Sequence, residues 1–353
     1  MGRKTMAEHN VNWEKLKTMC QKLMMAEHMS EQDAWICADN LVDADLCGVE
    51  SHGVSRMQNY MKRLRTGVVD SGGKCTIEKE SPGSLYIHGG NAMGMVVGNF
   101  AMKKCIEKAK ESGCCFATAN NSNHFGMAAY YVRMAAEAGM IGIVGTNAPP
   151  NLAPWGSPQK YMGTNPIAFS APTLGEPVIL DMAPSIVAMG KIILAAKLGK
   201  TIPEGWVLTK DGKPTTDPVE GQYGTLLPIG GAKGSGLAIF MEILCGVLAG
   251  AGVGPHINHF WKDFEHPQNV GHFFCAVDID KFVGIEHFKE NIDCIINEMK
   301  ALPKNPGVSE IFMPGEIENR KRAERKANGI QLSDSVYEEL KVLAEEYQLD
   351  FDL

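Results

Sequence analysis

The stretch Cys114–Val132, CCFATANNSNHFGMAAYYV, contains the transition around which the rest of the chain is organised. Its first six residues are apolar and predict a strand, whereas 127–132 predict a helix. Between them lies the polar cluster 121–126. Open α/β sheets usually bind ligands at such a junction, outside the ends of the strands. The stretch therefore predicts an α/β fold with a functional site at residues 121–126.

His124 is the residue of this cluster that can both accept and donate a proton near neutral pH. It is therefore the candidate catalytic acid or base. A structural explanation also fits the same residues, in which Asn123 caps the following helix and His124 packs beside Phe125. The cluster alone leaves both explanations open.

Composition indicates an ordered globular chain that is long enough for two domains. The sequence has 353 residues, of which 44% are hydrophobic and 21% are charged. A net charge of −7 without a long basic run argues against nucleic acid as a partner. The longest apolar run, 237–250, is too short to span a bilayer and contains Glu242, so we expect no membrane segment. Residues 1–10 are polar and lack the apolar core of a signal peptide. Ten cysteines without a CxxC pair predict reduced thiols in a cytoplasmic protein.

Hydrophobic periodicity divides the chain into helical ends and a strand-rich middle. We predict a discontinuous outer helical domain, 1–120 plus 284–353, and a central domain, 121–283. Ser30 and Asp33 resemble a capping box at the start of one outer helix. The other predicted helices include 92–113, 186–198, 234–248 and 286–302. The predicted strands include 84–88, 141–145, 166–170, 178–181, 273–279 and 310–313.

A second candidate site is the stretch Ser51-His52-Gly53-Val54-Ser55-Arg56. It places Ser51 and His52 at a helix start, where free N–H groups favour anions. Arg56 can bind a carboxylate through two parallel hydrogen bonds, which a lysine cannot do. The alternative is an ordinary N-cap serine followed by a surface charge.

Three further turns are candidates for ligand contacts. The glycine-rich stretch 230–236 contains Lys233 and Gly234 and runs into an apolar helix, so a phosphate could bind there. It lacks the Walker A spacing, and no GxGxxG supports a Rossmann site. Asp181 ends a strand before Pro184 and can accept hydrogen bonds from ribose, or serve as a cap. The turn Gly163-Thr164-Asn165-Pro166 offers two small polar side chains, which ordinary turn chemistry also explains.

Two other classes of chemistry receive little support. His256, His259, His266 and His272 match no compact zinc spacing, so we predict no metal site. A serine hydrolase would require a nucleophile such as Ser51 or Ser122, but the chain has no GxSxG motif.

Taken together, these motifs resemble those of the type-2 malate/L-lactate dehydrogenase family. The shared stretches, in the same order, are SHG with Arg56, 123–126, 163–166, 181–183, 232–234 and 314–316. The resemblance extends from about Leu16 to Leu343. The family also includes ureidoglycolate, sulfolactate and diketogulonate dehydrogenases and a cyclic-imine reductase.

The resemblance implies a homodimeric oxidoreductase that binds NAD, with NADP as the alternative, without a Rossmann fold. The cofactor-binding domain would contain a mainly antiparallel central sheet, inserted in a discontinuous helical domain. His124 matches the proton donor, with Ser51 and His52 beside it, and Arg56, Thr164 and Asn165 would bind substrate. The residues that match cofactor contacts are Asp181, Met182, Ala183, Lys233, Gly234, Pro314, Gly315 and Glu316.

The implied reaction is hydride transfer between the nicotinamide and C2 of a small 2-hydroxy acid, with malate and oxaloacetate as the first expectation. Lactate, sulfolactate, ureidoglycolate or a cyclic imine are the alternatives. One departure bears on this choice. After Asn147 the chain reads Ala148-Pro149-Pro150, where some relatives have polar residues near the substrate.

Overall fold

A seven-stranded sheet forms the centre of the structure, a computed structural model that describes residues 8–353. The strands in chain order are β1 (Glu8–Val11), β2 (Thr76–Ser81), β3 (Ser84–His88), β4 (Cys114–Ser122), β5 (Met140–Thr146), β6 (Ile167–Ala171), β7 (Val178–Met182), β8 (Val207–Leu208), β9 (Thr225–Leu226), β10 (Val270–Asp278) and β11 (Ile330–Ser333). The order across the central sheet is β2-β3-β4-β10-β5-β6-β7. Two small sheets pair β1 with β11 and β8 with β9.

Most neighbouring strands of the central sheet are antiparallel. The pair β3–β4 is parallel, and the other five pairs run in opposite directions. A Rossmann domain has a mostly parallel sheet with helices on both faces. The predicted non-Rossmann α/β fold with a mainly antiparallel central sheet is therefore confirmed.

The helices cover the sheet and form the two ends of the chain. They are α1 (Trp13–Ala26), α2 (Glu31–Leu46), α3 (Met57–Arg65), α4 (Gly94–Ser112), α5 (Ala128–Glu137), α6 (Met189–Lys197), α7 (Pro218–Gly221), α8 (Ala232–Met241), α9 (Ile285–Ala301), α10 (Glu316–Asn328) and α11 (Asp334–Glu346). Helix α8 continues as a π-helical segment, Glu242–Leu248. The prediction of one helix over 234–248 did not anticipate this change of winding.

Side-chain alternation along β10 explains how the sheet is covered on both faces, because successive residues of a strand point to opposite sides. Phe274 packs in the core that includes Ala101 of α4. Its neighbour Phe273 packs with Met241 and Cys245, which belong to α8 and the π-helical segment. The central strands are thus buried on both faces, which accounts for their nearly continuous apolar sequence.

Helix starts follow local capping chemistry. At the N-terminus of α2, the Ser30 hydroxyl accepts a hydrogen bond from Asp33 N at 3.1 Å and donates to the Asp33 carboxylate at 2.7 Å. The predicted cap is therefore confirmed. Asn123 does not cap α5, since that helix begins at Ala128 after Met127. Its amide instead donates to Ala92 O at 2.9 Å and to Asn91 Oδ1 at 3.1 Å.

The predicted strand over 310–313 is wrong. These residues form an irregular segment that packs beside β7, and Pro314 O accepts a hydrogen bond from Ile179 N at 3.0 Å.

The pairing of β1 with β11 was not predicted, because its partners lie more than 300 residues apart. Strands β2 and β3 and most of β4 come from the segment assigned to the outer domain, and the proposed boundaries at 120 and 284 remain a prediction.

None of the ten cysteines, all of them within the described residues, is paired in a disulfide bond, and their reduced state remains a prediction. Among residues 8–353, no helix has both the length and the apolar composition that a bilayer span requires.

Candidate active site

The polar cluster 121–126 begins with the last two residues of β4, and hydrogen bonds and close packing fix its backbone. His124 N donates to Gln268 Oε1 at 3.0 Å. Gly126 adopts a left-handed φ of 79°, and a Cβ at this position would lie 2.0 Å from Asn40 Oδ1. Only glycine fits both conditions without strain. The orientation of His124 is therefore set before any ligand binds.

The imidazole of His124 has two hydrogen-bond donors on one nitrogen. The Tyr60 hydroxyl lies 2.5 Å from Nδ1, and Gly126 N donates to the same atom at 3.3 Å. Burial raises the pKa of Tyr60, so its oxygen keeps the proton. Burial, followed by the positive charge of Arg56, holds the pKa of His124 well below its usual value. The ring is therefore neutral at pH 7, and the hydrogen bond from Gly126 N favours the tautomer with its hydrogen on Nε2.

The substrate candidates 51–56 lie in two short 3-10 turns, Glu50–His52 and Val54–Arg56. The second turn is held by Asp45, whose Oδ2 accepts a hydrogen bond from Val54 N at 2.8 Å. A Cβ at Gly53 would come within 2.0 Å of this carboxylate, so the turn depends on glycine. Burial raises the pKa of Asp45 to about 7.

His52 lies beside His124, with 5.6 Å between the ring centroids. Its Nδ1 is 3.0 Å from the Ser51 hydroxyl. Burial, with a contribution from the charge of Arg56, lowers the pKa of His52 to about 3. The structure thus brings the predicted catalytic residues Ser51, His52 and His124 together, with both imidazoles neutral at pH 7.

The guanidinium of Arg56 lies close to two aromatic rings. Its guanidinium carbon lies 5.6 Å from the Phe260 ring and 5.0 Å from the Trp261 ring. Its Nε donates to Ser51 O, and within residues 8–353 the two terminal nitrogens have no hydrogen-bond partner. The arrangement leaves the planar fork free to bind a carboxylate. The Phe260 ring is also tilted against that of His124 with 4.9 Å between the centroids, so Arg56 and His124 both contact Phe260.

The candidate cofactor residues follow the edge strand β7. Asp181 is exposed, and its Oδ2 accepts a hydrogen bond from Ala129 N at 2.8 Å, at the start of the helix that follows His124. Met182 and Ala183 are half-buried. Gly315 has a left-handed φ of 83° and approaches β7 closely, since a Cβ there would lie 2.7 Å from Ile179 O.

The carboxylate of Glu316 already has internal partners. It accepts hydrogen bonds from Lys300 Nζ at 2.7 and 2.8 Å and from Met313 N at 3.0 Å. These bonds fix the turn that brings Pro314 and Gly315 against β7. The structure thus gives Glu316 a role in holding the turn, and a direct cofactor contact by its side chain remains a prediction.

The start of α8 differs from the phosphate site that the sequence predicted. Lys233 N, Gly234 N and Ser235 N donate to preceding carbonyl groups, so these backbone donors are not free. Gly234 is buried, and a Cβ there would meet Ile229 O at 2.2 Å. Its lack of a side chain is explained by packing. Lys233 is exposed and remains the positive charge that can reach an anion.

Asn165 lies inside the protein and not at the edge of the site. Its Oδ1 accepts from Ala148 N at 3.1 Å, and its Nδ2 donates to Ala238 O at 3.1 Å and Glu242 Oε1 at 3.2 Å. These bonds account for Asn165 without a ligand. Thr164 is half-buried in the same turn, and its contact with a substrate remains a prediction.

The four histidines considered for a metal are dispersed. His272 is fully buried, with Nδ1 2.8 Å from Thr146 Oγ1 and Nε2 2.8 Å from Ser122 Oγ. His266 pairs with Asp263, and His256 is exposed. In the part of the chain that the structure describes, no three potential ligands form a metal site.

Three residues of the site were not identified from the sequence. Tyr60 contacts His124 from α3, while Phe260 and Gln268 contact it from the loop before β10. In the sequence, Tyr60 has the spacing of an apolar position in a helix, and the loop before β10 is distinguished only by its histidines. Their separation from His124, 64 residues for Tyr60 and 144 for Gln268, leaves no local pattern that could have revealed them.

Sequence and structure comparisons with known proteins show which family the chain is similar to. The family model described as malate/L-lactate dehydrogenase matches residues 11–341. A malate dehydrogenase from Pyrococcus horikoshii is 43% identical over 323 residues, which is 89% of each chain. The solved structure of sulfolactate dehydrogenase from Methanocaldococcus jannaschii superposes with a TM-score of 0.92 at 38% identity, and covers 97% of this chain and 98% of its own.

Other relatives differ in the cofactor that their names specify. The ureidoglycolate dehydrogenase of Escherichia coli is named for NAD(+), and a (2R)-3-sulfolactate dehydrogenase of Chromohalobacter salexigens for NADP(+). The similar solved structures also include a delta1-piperideine-2-carboxylate reductase from Pseudomonas syringae. The family model and the malate dehydrogenase both span most of the sequence, and the chain therefore belongs to the malate/L-lactate dehydrogenase family.

Proposed function

We propose that this protein transfers a hydride between a nicotinamide cofactor and C2 of a small 2-hydroxy acid, with malate and oxaloacetate as the preferred pair. The observation that carries the proposal is the free guanidinium fork of Arg56 beside the neutral imidazole of His124, under Phe260. A carboxylate held by the fork would place the adjacent C2 oxygen near His124. A 2-hydroxy or 2-oxo acid contains these two groups on neighbouring carbons.

In the reducing direction, Nε2–H of His124 would donate its proton to the C2 carbonyl oxygen. We expect the imidazolium to be the donor, but the lowered pKa of His124 disfavours that form in the free protein. The Tyr60 oxygen lies 2.5 Å from Nδ1 and can accept a hydrogen bond from Nδ1–H of the imidazolium. Tyr60 itself keeps its proton, because burial raises its pKa.

Substrate binding would also change the protonation of His124. Arg56 is the second cause of the lowered pKa of His124, after burial. A carboxylate paired with the fork would neutralise that charge, and the pKa of His124 would rise towards its usual value. Proton uptake at His124 would thus be favoured when a substrate is present. In the oxidising direction, His124 would accept the proton of the C2 hydroxyl on Nε2, in the tautomer that carries its own hydrogen on Nδ1 and donates it to the Tyr60 oxygen.

The edge of the sheet at β7 suits a nicotinamide dinucleotide. Oδ2 of Asp181 is engaged by Ala129 N, which orients the carboxylate and leaves Oδ1 for a ribose hydroxyl. The ammonium of Lys233 would bind the pyrophosphate, and Pro314 and Gly315 would line the adenosine end. When bound, the dihydronicotinamide supplies the hydride. The protein contributes alignment, proton transfer and the exclusion of water.

Similarity to malate dehydrogenases supports the choice of malate, while relatives named for sulfolactate and ureidoglycolate keep those acids as alternatives. The stretch Ala148-Pro149-Pro150, where some relatives have polar residues near the substrate, has no charged side chain, so it cannot pair with a second carboxylate. A contact with that group from Arg56 or from outside this stretch is therefore required. We favour NAD over NADP, because Asp181 would repel a phosphate on the adenosine ribose.

The test is a panel of oxaloacetate, pyruvate, 3-sulfopyruvate and a cyclic imine with NADH or NADPH, followed by nicotinamide absorbance. We expect the highest kcat/KM for oxaloacetate with NADH. Preference for the imine with NADPH would instead identify an imine reductase. No oxidation of either cofactor by any 2-oxo acid would refute the proposed activity. The His124→Asn protein is the matched control for contaminating dehydrogenases.

Assembly as a homodimer and a cytoplasmic location complete the proposal. Exposed apolar side chains on α8 and the π-helical segment support an interface with a second copy: Phe240, Ile243, Val247 and Leu248. Sedimentation velocity tests the assembly. A monomer at the concentrations of the activity assay would contradict it.

A further inference from the structure

The loop 254–268, here called the cover loop, forms the outer wall of the candidate active site. The Phe260 ring lies 4.9 Å from the ring of His124 and 5.3 Å from that of Tyr60. Trp261 lies over the guanidinium of Arg56 at 5.0 Å. The position of this loop therefore decides how much water reaches the imidazole and the fork.

Helix α3 holds the cover loop through two buried side chains. Arg63 Nη1 donates to Asp263 O at 2.8 Å and to Phe260 O at 3.2 Å. Asn59 Nδ2 donates to the same Phe260 oxygen at 3.1 Å. Arg56 and Tyr60 stand at the start and in the middle of the same stretch. One rigid element thus carries both the site residues and the anchors of the loop above them.

Burial of Arg63 is costly and calls for an explanation. Its side chain is fully buried, and its Nε and Nη2 have no hydrogen-bond partner within residues 8–353. Its charge is instead placed 5.6 Å from the Phe260 ring and 5.9 Å from the Phe264 ring. Burying an arginine whose hydrogen bonds go to only two loop carbonyl groups is unfavourable in free energy. A leucine at this position would be buried more favourably.

We propose that Arg63 is a positioning residue, which fixes the cover loop so that Phe260 stays on the His124 ring and excludes water from it. This inference rests on the proposed function. Arg63 would touch neither substrate nor cofactor. It would act through the carbonyl groups of Phe260 and Asp263.

The pH dependence of catalysis is a direct consequence of this arrangement. The groups that face His124 are Arg56 and Tyr60 from α3 and the turn before it, His52, His272 of β10, and Arg63 itself. Loosening the loop would admit water, and removing Arg63 would also remove a positive charge. Both changes favour the imidazolium and raise the pKa of His124. The inflection that His124 causes in the kcat/KM profile should therefore move upwards.

The test compares Arg63→Met with the matched control Arg65→Met. Arg65 is on the same helix, but its hydrogen bonds go to Glu27, Glu346 and Tyr347 and not to carbonyl groups of the cover loop. Two readouts are used, the pH profile of kcat/KM and the rate of tryptic cleavage after Lys262, which is exposed in the loop. For Arg63→Met we expect faster cleavage, kcat reduced about 10-fold or more, and the upward shift of the inflection. Arg65→Met should show none of these changes.

Arg63→Lys should restore part of the protection, because an ammonium can reach one carbonyl but lacks the fork. If Arg63→Met does not fold, Asn59→Ala is the milder variant and should show the same direction of change. Wild-type cleavage and an unchanged pH profile in the folded variant would overturn the proposal. Cleavage does not depend on dehydrogenase activity, so a failure of the proposed function would leave this measurement intact.

Discussion

His124 is the residue on which the proposed chemistry depends most directly. Asparagine keeps a polar group of similar size but cannot transfer a proton at neutral pH. We expect His124→Asn to reduce kcat by about 10² or more, with the affinity for the cofactor nearly unchanged. Steady-state kinetics and a fluorescence titration with NADH measure the two effects.

The exposed His256 is the control for the substitution, and His256→Asn should behave like the wild type. Near-normal turnover of His124→Asn would exclude His124 as the proton donor.

Arg56 is expected to act on binding more than on turnover. Lysine keeps the positive charge but replaces a planar fork by a point charge, so one of the two parallel hydrogen bonds to a carboxylate is lost. We expect Arg56→Lys to raise the KM for the 2-oxo acid about 10-fold, which corresponds to about 1.4 kcal/mol. The KM for the cofactor serves as the internal control. An unchanged KM for the acid would contradict a carboxylate clamp at this position.

The sequence predicted functional side chains where they lie at the boundary of a helix or strand. Ser51, His52, Arg56 and His124 occupy such boundaries, and the structure brings them together. Tyr60 lies inside a helix, at a position that helical spacing assigns to the core. Its hydroxyl reaches His124 only because α3 packs beside the residues that follow β4. No local sequence pattern predicts this contact, because the two residues are 64 positions apart.

Elements were predictable where one periodicity runs without interruption. Strand β3 was predicted at its observed bounds, 84–88, and β5, β6, β7 and β10 were each predicted within three residues. The irregular segment 310–313 was mistaken for a strand because its short apolar run is ambiguous. The π-helical segment follows α8 without a change in composition, so its winding is decided by packing on β10 and not by local propensity.

Helix α10 is the element that connects the two candidate subsites. Its N-terminus is at the cofactor turn, and its arginines reach the region before the substrate turns. Arg322 Nε lies 2.5 Å from Asp43 Oδ1, and Arg325 Nη2 lies 2.7 Å from Glu50 Oε1. Asp43 is buried, and its Oδ2 has no partner in the described part of the chain.

We expect Arg322→Met to lower the free energy of unfolding by about 3 kcal/mol, because it leaves the Asp43 carboxylate buried without its cation. Arg320→Met is the control on the same helix, since Arg320 pairs with Glu310 and Glu316 at an exposed position. It should cost less than about 1 kcal/mol. Urea denaturation measures both values. Equal losses in the two variants would show that burial of Asp43 is not the cause.

The whole molecule was predictable in class but not in arrangement. Alternation of strands and helices indicated an α/β chain, and the family resemblance implied its antiparallel sheet. No local pattern places β10 between β4 and β5, since its partners are about 125 to 165 residues earlier in the chain. His272 sits at that central position. It was considered as a metal ligand, whereas the structure makes it a neutral bridge between Ser122 and Thr146.

The bridging role of His272 makes the stability of the whole fold dependent on pH. Burial lowers the pKa of His272 from 6.5 to about 3. The folded state therefore keeps the ring neutral between pH 6.5 and 3, while the unfolded chain binds a proton there. The free energy of unfolding must fall as the pH decreases through this window, by up to about 1.4 kcal/mol per pH unit. At pH 5 this contribution amounts to about 2 kcal/mol.

His272→Gln isolates this contribution, because glutamine can still bond to both hydroxyl groups but does not titrate. Other groups with shifted pKa values, such as Asp45 and Asp181, are present in both proteins and cancel in the comparison. We expect the variant to be less stable at pH 7 through imperfect packing against Phe125. Between pH 7 and pH 5, however, urea denaturation should show that the wild type loses about 2 kcal/mol more than the variant. Parallel losses would mean that His272 is already protonated in the folded state, and the neutral bridge between β4 and β5 would have to be abandoned.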